Sequence, residues 1–148
     1  MGWGSYARRL ALLKRQSPVR DSIILTGKVP YDELPGHVAM GDVFAMPCRT
    51  RGGGLDVEGL GIVFLEASAA GLPVIAGTSG GAPETVEEGV TGNVVDGRDQ
   101  DALVGAIVRQ LSDADMRARM GAAGRRLMIE RWTWPSLVER LVDAIDAR

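Results

Sequence analysis

Several residue types are scarce in this 148-residue sequence, and each scarcity excludes a class of protein. The single cysteine, Cys48, excludes an internal disulfide and a cysteine-based zinc site, so we expect it to pack as a small apolar residue. The single histidine, His37, has no hydrolase motif around it, which favours a partly exposed helix residue over a catalytic one. No apolar run reaches the roughly 18 residues of a membrane span, because Glu66 interrupts the longest one, and we expect no signal peptide.

Composition and charge are those of a single folded domain. Hydrophobic residues make up 45% of the chain and charged residues 24%, and the formal net charge is -2. The arginines are scattered without forming a basic tract, which argues against a nucleic acid as the main partner. We therefore expect one domain over residues 1–148, located in the cytoplasm.

Short β-branched runs alternate with longer helical patterns, which predicts an α/β fold with a parallel sheet covered by helices. The strands are predicted at Ser22–Thr26, Val43–Pro47, Pro73–Ala76 and Asn93–Val95. The helices are predicted at Tyr6–Arg15, Tyr31–Met40 with an irregular start at Pro35-Gly36, Leu60–Ala70, Asp99–Leu111, Ala114–Glu130 and Ser136–Ala147. The part after Gly97 is thus all helical, and Asp99, Asp113 and Thr133 are the expected helix caps.

Three glycine-containing loops follow predicted strands. They are Gly27-Lys28-Val29, Pro47 to Glu58, and Gly77 to Glu84. Ligands of open α/β sheets bind beyond the carboxyl ends of the strands, where glycine lets a backbone approach a phosphate or sugar. The three loops together indicate a nucleotide site, although Lys28 alone is more often a solvated turn residue. No G-x-G-x-x-G fingerprint is present, which makes an NAD enzyme a remote alternative.

The segment from Glu58 to Glu66 carries the most specific signal. Glu58 precedes a helix whose first amides, at Gly59 to Ile62, can bind a phosphate, although a simple helix-capping role is an equally ordinary interpretation. The helix is apolar almost all round, so we expect it to be buried with Glu66 as its only charge. A buried carboxylate needs hydrogen-bond donors, which a sugar diol or an arginine elsewhere in the chain can supply.

Both flanks of this segment point to one family. Arg49-Thr50-Arg51-Gly52-Gly53-Gly54 precedes it and Thr78-Ser79-Gly80-Gly81-Ala82-Pro83-Glu84 follows it. From Val43 to Gly97 the chain closely resembles the donor-binding half of retaining GT-B glycosyltransferases with a Glu-x7-Glu signature. Among these it is most similar to actinobacterial phosphatidylinositol mannosyltransferases that use GDP-mannose.

The resemblance implies a role for each matching residue. Glu58, the residue it marks as catalytic, would contact donor-sugar hydroxyls. The amides of Gly59, Leu60, Gly61 and Ile62 would hold the sugar and diphosphate. Glu66 would accept hydrogen bonds from the ribose hydroxyls, and Gly27, Lys28 and Val29 would lie against the base. Glu84 is expected to be structural, capping the turn after Pro83.

The implied reaction transfers a sugar, mannose by resemblance, to a hydroxyl of a lipid or glycan with retention at the anomeric carbon. The leaving diphosphate would help to deprotonate the acceptor, so no cofactor, metal or attacking carboxylate is expected. As part of a full-length enzyme, the chain would work at the inner face of the plasma membrane.

The chain also departs from the family pattern. By comparison with the family pattern, we expect this chain to lack the N-terminal acceptor domain and the first two strands of the donor half, with their diphosphate clamp. We therefore expect the strand at Ser22 either to re-pair with the strand at Val43 or to leave an open edge. Trp132 and Trp134 are expected to expose apolar surface, or alternatively to pack under the domain. The alternative function, of a different class, is a noncatalytic nucleotide-binding or interaction module.

Overall fold

A computed structural model describes residues 5–147, which divide into two units, the first ending at Leu34 and the second beginning at Pro35. The first unit contains helix α1 (Ser5–Gln16) and a 3-10 turn at Arg20–Ser22. α1 confirms the first predicted helix. It ends two residues before Pro18, because proline and the residue preceding it disfavour helical geometry.

The strand predicted at Ser22–Thr26 is not formed. Ile23 has extended backbone angles of φ -98° and ψ 119°, but no strand is assigned to residues 22–26. The side chain of Ile24 is 82% exposed. A β-branched run becomes a strand only when a neighbouring strand supplies ladder hydrogen bonds and a surface to pack against. The predicted strand is therefore wrong, and neither alternative for it, re-pairing with the strand at Val43 or an open strand edge, is observed.

The second unit contains a three-stranded parallel sheet. Its strands are β1 (Phe44–Met46), β2 (Val74–Gly77) and β3 (Gly92–Val95), in the order β1-β2-β3. β2 lies in the centre and all four of its residues are buried, as expected of a parallel strand covered on both faces. The predicted α/β fold and the three later strands are confirmed within the usual boundary error.

Five further α-helices are present in the described residues. They are α2 (Leu34–Ala39), α3 (Ile62–Ala69), α4 (Gln100–Ser112), α5 (Ala114–Arg131) and α6 (Trp134–Asp146). The predicted caps of the last three are confirmed, because side-chain oxygens of Asp99, Asp113 and Thr133 accept hydrogen bonds from amides three residues on. α2 is shorter than predicted and begins only at Leu34, with Pro35 and Gly36 in its first turn.

The core lies on both faces of β2. On one face Phe64 of α3 is fully buried and meets the ring of Phe44 edge-on, with centroids 6.0 Å apart. On the other face Ile75 packs with Val95 and with Ala106 of α4. Phe64 thereby anchors α3 against the sheet, and the positions of the residues just before and after α3 follow from this packing.

The prediction that α3 is buried almost all round is wrong. Phe64, Ala67 and Ser68 are buried, but Ile62 is 64% exposed and Val63 is 37% exposed. One side of α3 packs on the sheet and another packs on α5, and a Cβ at Gly121 of α5 would overlap the carbonyl oxygen of Gly71 just after α3. The remaining face of α3 is partly exposed to solvent.

The amphipathic helix α6 exposes a row of apolar side chains. Trp134 is 80% exposed, Leu141 60% and Ile145 62%, whereas Trp132 just before the helix is half-buried. The expectation of exposed apolar surface is confirmed, and the alternative that both tryptophans pack under the domain is wrong. Within residues 5–147, no helix has the length and apolar character needed to cross a membrane.

Candidate functional site

Two loops meet beyond the carboxyl ends of β1 and β2, as predicted for the segments after Pro47 and after Gly77. Ser79 joins them, because its Oγ lies 3.0 Å from the Oγ1 of Thr50 and accepts a hydrogen bond of 3.0 Å from the amide of Glu58. Ser79 is only 1% exposed, so these two contacts replace its hydrogen bonds to water. The position of Glu58 is therefore set by a residue 21 positions further along the chain.

Gly80 and Gly81 fit closely against the backbone of Glu58 and Gly59. A Cβ at Gly80 would overlap the carbonyl oxygen of Glu58, and a Cβ at Gly81 would overlap that of Gly59. The amide of Gly81 donates to the Gly59 carbonyl at 2.9 Å. The sequence predicted that glycines in this loop let the backbone come close to a ligand. At these two positions they instead let it come close to the backbone of Glu58 and Gly59. Both glycines thus help to hold Glu58 in place.

A short hairpin precedes Glu58. Arg51 and Asp56 form an antiparallel bridge with backbone hydrogen bonds of 3.0 and 3.2 Å. Their side chains form an ion pair of 2.8 Å, supported by a hydrogen bond of 2.9 Å from Nε. Gly52, Gly53 and Gly54 between them all have positive φ, which accounts for the run of glycines. The hairpin forms one wall of the space beside Glu58.

Helix α3 starts without a side-chain cap. Its N-cap is Gly61, with φ 78°, and no side chain accepts a hydrogen bond from the first turn. The interpretation of Glu58 as a simple helix cap is therefore wrong. Of the four residues predicted to bind phosphate through their amides, only Ile62 lies in the first turn, while Gly59, Leu60 and Gly61 precede the helix. An uncapped first-turn amide can donate to an anion, and the phosphate-binding role of Gly59 to Ile62 stays a prediction.

The two glutamates of the motif line different cavities. Glu58, which is half-buried, lines a cleft of about 320 Å³. The other residues lining this cleft are Pro47, Cys48, Arg49, Arg51, Asp56, Val57 and Ser79. Glu66 lines a second cavity of about 590 Å³ whose walls come from α3, α5 and the start of α6. Sequence spacing alone did not indicate this separation.

Glu66 has mostly apolar neighbours. Its cavity is lined by Leu60, Ile62, Leu65, Ala69, Met128, Ile129, Trp132, Thr133, Trp134 and Leu137. The carboxylate is half-buried rather than buried, because the exposed face of α3 opens into this cavity. Within residues 5–147 Glu66 forms no ion pair with an arginine, so that alternative is not observed.

The third predicted loop, Gly27-Lys28-Val29, belongs to the first unit. Gly27 has φ 70°, and Lys28 is exposed. Because the preceding strand does not form, this loop does not stand at a strand's carboxyl end, and that expectation is wrong. Its contact with a nucleotide base stays a prediction.

Sequence reasoning overlooked the polar contacts that hold the loops together. Arg98, just after β3, donates to the carbonyl of Thr50 at 3.1 Å. The only local signal for a tightly packed loop at Ser79 was the pair of glycines in Thr78-Ser79-Gly80-Gly81. Glu84 is exposed, and no side chain caps its turn, so the predicted capping role is wrong. The turn is held in addition by the hydroxyl of Thr85, which donates to the Ala82 carbonyl.

The remaining candidates have ordinary surroundings. His37 is a half-buried residue of α2, in agreement with its predicted place on a helix, and Cys48 is a half-buried free thiol. In the part of the chain that the structure describes, no group of three or more His, Cys, Asp or Glu residues is placed to hold a metal ion.

Comparison with known proteins gives a family and close relatives. The sequence profile described as "Glycosyl transferases group 1" matches residues 1–127. The chain is 56% identical over 143 residues to the GDP-mannose-dependent alpha-(1-6)-phosphatidylinositol monomannoside mannosyltransferase of Mycobacterium tuberculosis, covering 97% of this chain and 37% of that protein. It is 48% identical over 147 residues to the GDP-mannose-dependent monoacylated alpha-(1-6)-phosphatidylinositol monomannoside mannosyltransferase of Corynebacterium glutamicum, covering 99% and 38%. The chain thus spans less than two-fifths of the length of these relatives.

Solved structures give the same answer for the fold. The sucrose-phosphate synthase of Thermosynechococcus elongatus matches 99% of this chain with a TM-score of 0.83 and 26% identity, over 35% of its own chain. The C-terminal domain of a group 1 glycosyl transferase (LpcC) from Francisella tularensis matches 87% with a TM-score of 0.75 and 22% identity, over 63% of its chain. The GT-B fold expected from the resemblance is confirmed, and the chain belongs to the glycosyl transferases group 1 family.

Proposed function

We propose that residues 1–148 form the donor-binding domain of a retaining glycosyltransferase that takes mannose from GDP-mannose and transfers it to a hydroxyl of a lipid or glycan. The single observation that carries this proposal is the Glu58–Glu66 segment, built into a chain 56% identical to a relative named for GDP-mannose and a phosphatidylinositol mannoside. An acceptor domain, outside this chain, is the partner that completes the enzyme. The completed enzyme works at the cytoplasmic face of the plasma membrane.

The two cavities suggest a division of labour. Glu58 stands in a polar cleft, where its carboxylate can accept hydrogen bonds from the hydroxyls of the donor sugar. Glu66 stands in an apolar cavity, which suits a nucleoside that presents ribose hydroxyls to a carboxylate and an aromatic base to apolar walls. The amides of Gly59 to Ile62 connect the two places and can donate to the diphosphate between them.

Chemistry at this site consists of positioning and charge stabilisation. As the bond between sugar and phosphate breaks, negative charge develops on the diphosphate, and amides aimed at it lower the barrier. The leaving phosphate takes the proton of the attacking acceptor hydroxyl, so the protein needs neither a metal nor a nucleophilic carboxylate. Glu58 holds the sugar ring in one orientation. A fixed orientation lowers the activation barrier, because the sugar does not lose further freedom on the way to the transition state.

Calorimetric titration of the chain with GDP, UDP and ADP tests the donor site. We expect saturable binding of GDP, with UDP and ADP weaker by about tenfold or more if base contacts discriminate. Glu66→Ala removes the acceptor of the ribose hydroxyls and is expected to abolish detectable GDP binding. Glu139→Ala, an exposed glutamate of α6 outside both cavities, is the matched control. A folded chain that binds no nucleotide, or a Glu66→Ala variant that binds normally, would contradict the proposal.

A mannose-transfer assay distinguishes the noncatalytic alternative from this proposal. If the chain is a donor-binding domain, adding the acceptor-binding part of a relative will yield mannose transfer to a lipid acceptor, followed with radiolabelled GDP-mannose. A module that only binds nucleotides will titrate with GDP and show no transfer after the same addition.

A further inference from the structure

The cleft beside Glu58 contains four charged side chains, of which two are unpaired. Arg51 and Asp56 neutralise each other through their 2.8 Å ion pair. Within residues 5–147, the side chains of Glu58 and Arg49 form neither a hydrogen bond nor an ion pair. One carboxylate and one guanidinium therefore line the same cleft of about 320 Å³ with their hydrogen-bonding capacity unused.

The backbone at Arg49 is held firmly, although its side chain is exposed. The next residue, Thr50, is bonded to Ser79 through its hydroxyl and to Arg98 through its carbonyl, each bond between 3.0 and 3.1 Å. On the other side Gly97 packs against the carbonyl of Pro47 and lies close to the Cβ of Arg49. A side chain that projects from an ordered backbone loses less entropy when it binds a ligand.

These two unpaired groups define the chemistry of a ligand. A carboxylate accepts hydrogen bonds from hydroxyls, whereas a guanidinium donates two parallel hydrogen bonds to a phosphate or carboxylate. A ligand that satisfies both carries hydroxyls and an anion close together, and the cleft is at the small end of the size range for ligand sites. Arginine is favoured over lysine where bidentate phosphate recognition is needed.

We propose that Arg49 binds the phosphate group of a phosphorylated sugar or cyclic polyol whose hydroxyls face Glu58, an inference that rests on the proposed function and deepens it. Two sources share this chemistry. One is the headgroup of a phosphorylated lipid acceptor, and the other is the sugar end of the nucleotide-diphosphate donor.

Titration of the full chain with inositol 1-phosphate, myo-inositol and GDP-mannose tests this inference and separates the two sources. Arg49→Gln is expected to weaken binding of one phosphorylated ligand by about tenfold or more, the usual loss for a charge-assisted hydrogen bond. A loss confined to inositol 1-phosphate identifies an acceptor headgroup, and a loss confined to GDP-mannose identifies the donor. Binding of myo-inositol, which carries no phosphate, is expected to be equal in wild type and variant.

Two further variants distinguish direct contact from a structural effect. Arg109→Gln removes an exposed arginine of α4 that lies outside the cleft, and it is expected to change no titration. Arg49→Lys keeps the charge without the planar fork, so we expect partial recovery of phosphate binding and a dependence on salt that Arg49→Gln lacks. Thermal melting of all variants should match wild type, because Arg49 is exposed.

The inference is overturned if Arg49→Gln binds both phosphorylated ligands as wild type does, or if wild type binds neither. A separate titration with GDP, which lacks the sugar, distinguishes this outcome from a failure of the proposed function. A chain that binds GDP but shows no effect of Arg49→Gln refutes the role of Arg49 and leaves the donor site standing. A chain that does not bind GDP refutes the donor site.

Discussion

The two glutamates of the motif are eight positions apart, yet they stand in opposite surroundings. Glu58 lies in a polar cleft whose walls are tied together by Ser79 and by the Arg51–Asp56 pair. Glu66 lies in a larger cavity with mostly apolar walls that include Trp132. One sequence motif thus builds two chemically different places, one in which hydrogen bonds fix the backbone beside a carboxylate and one in which apolar side chains surround a carboxylate.

Phe64 supports both places, so its replacement is expected to have the largest effect. Its fully buried ring packs between α3 and the sheet, and Phe64→Ala leaves a cavity there. We predict a loss of about 3–5 kcal/mol in the free energy of unfolding, measured by urea denaturation. Ile62→Ala, on the exposed face of the same helix, is expected to cost less than about 1 kcal/mol. Similar losses for the two variants would show that α3 is not anchored as described.

A methyl group at Gly80 is expected to disturb the cleft beside Glu58 and to leave the cavity beside Glu66 unchanged. Gly80→Ala places a Cβ against the Glu58 carbonyl at a positive φ of 53°, and we predict a loss of about 2–3 kcal/mol. Gly105→Ala, in the interior of α4 with open space around its Cα, should instead stabilise the chain by up to about 1 kcal/mol. Thermal melting compares the two, and a neutral Gly80→Ala would contradict the tight fit between the loops.

Loss of the Ser79 hydroxyl is expected to have a smaller effect on stability. Ser79→Ala removes the partner of both Thr50 and the Glu58 amide, with a predicted cost of about 1–2 kcal/mol. Ser112→Ala, an exposed serine at the end of α4, is the control and should lie within about 0.5 kcal/mol of wild type. In hydrogen-exchange experiments, the amide of Glu58 should lose protection in Ser79→Ala. Unchanged protection there would show that the Ser79 hydroxyl does not hold the Glu58 amide.

Features that depend on nearby residues could be predicted from the sequence. The caps Asp99, Asp113 and Thr133 act on amides three residues away, and α4, α5 and α6 begin where those residues predict. The strand at Ser22–Thr26 could not be judged in this way, because a strand exists only with a partner, and the pattern of a run says nothing about that partner.

The same distinction applies to the candidate site. The spacing of Glu58 and Glu66 was visible in the sequence, and so were the glycines around them. The contacts that position Glu58 come from Ser79 and Gly80, more than twenty residues away, and no local pattern reveals which backbone they touch. The exposed face of α3 was missed for a related reason, since an apolar helix is buried only where another element covers it.

Binding of GDP and of GDP-mannose to wild type, Glu58→Gln and Glu66→Gln, compared by calorimetry, tests the division between the two places most directly. Both substitutions keep the shape of the side chain and remove its charge. Glu66→Gln is expected to weaken both ligands equally, because both carry the ribose, whereas Glu58→Gln is expected to weaken only GDP-mannose, because only that ligand carries the sugar. This division between the two places would be contradicted if Glu58→Gln weakened GDP as much as GDP-mannose, or if Glu66→Gln bound GDP as wild type does.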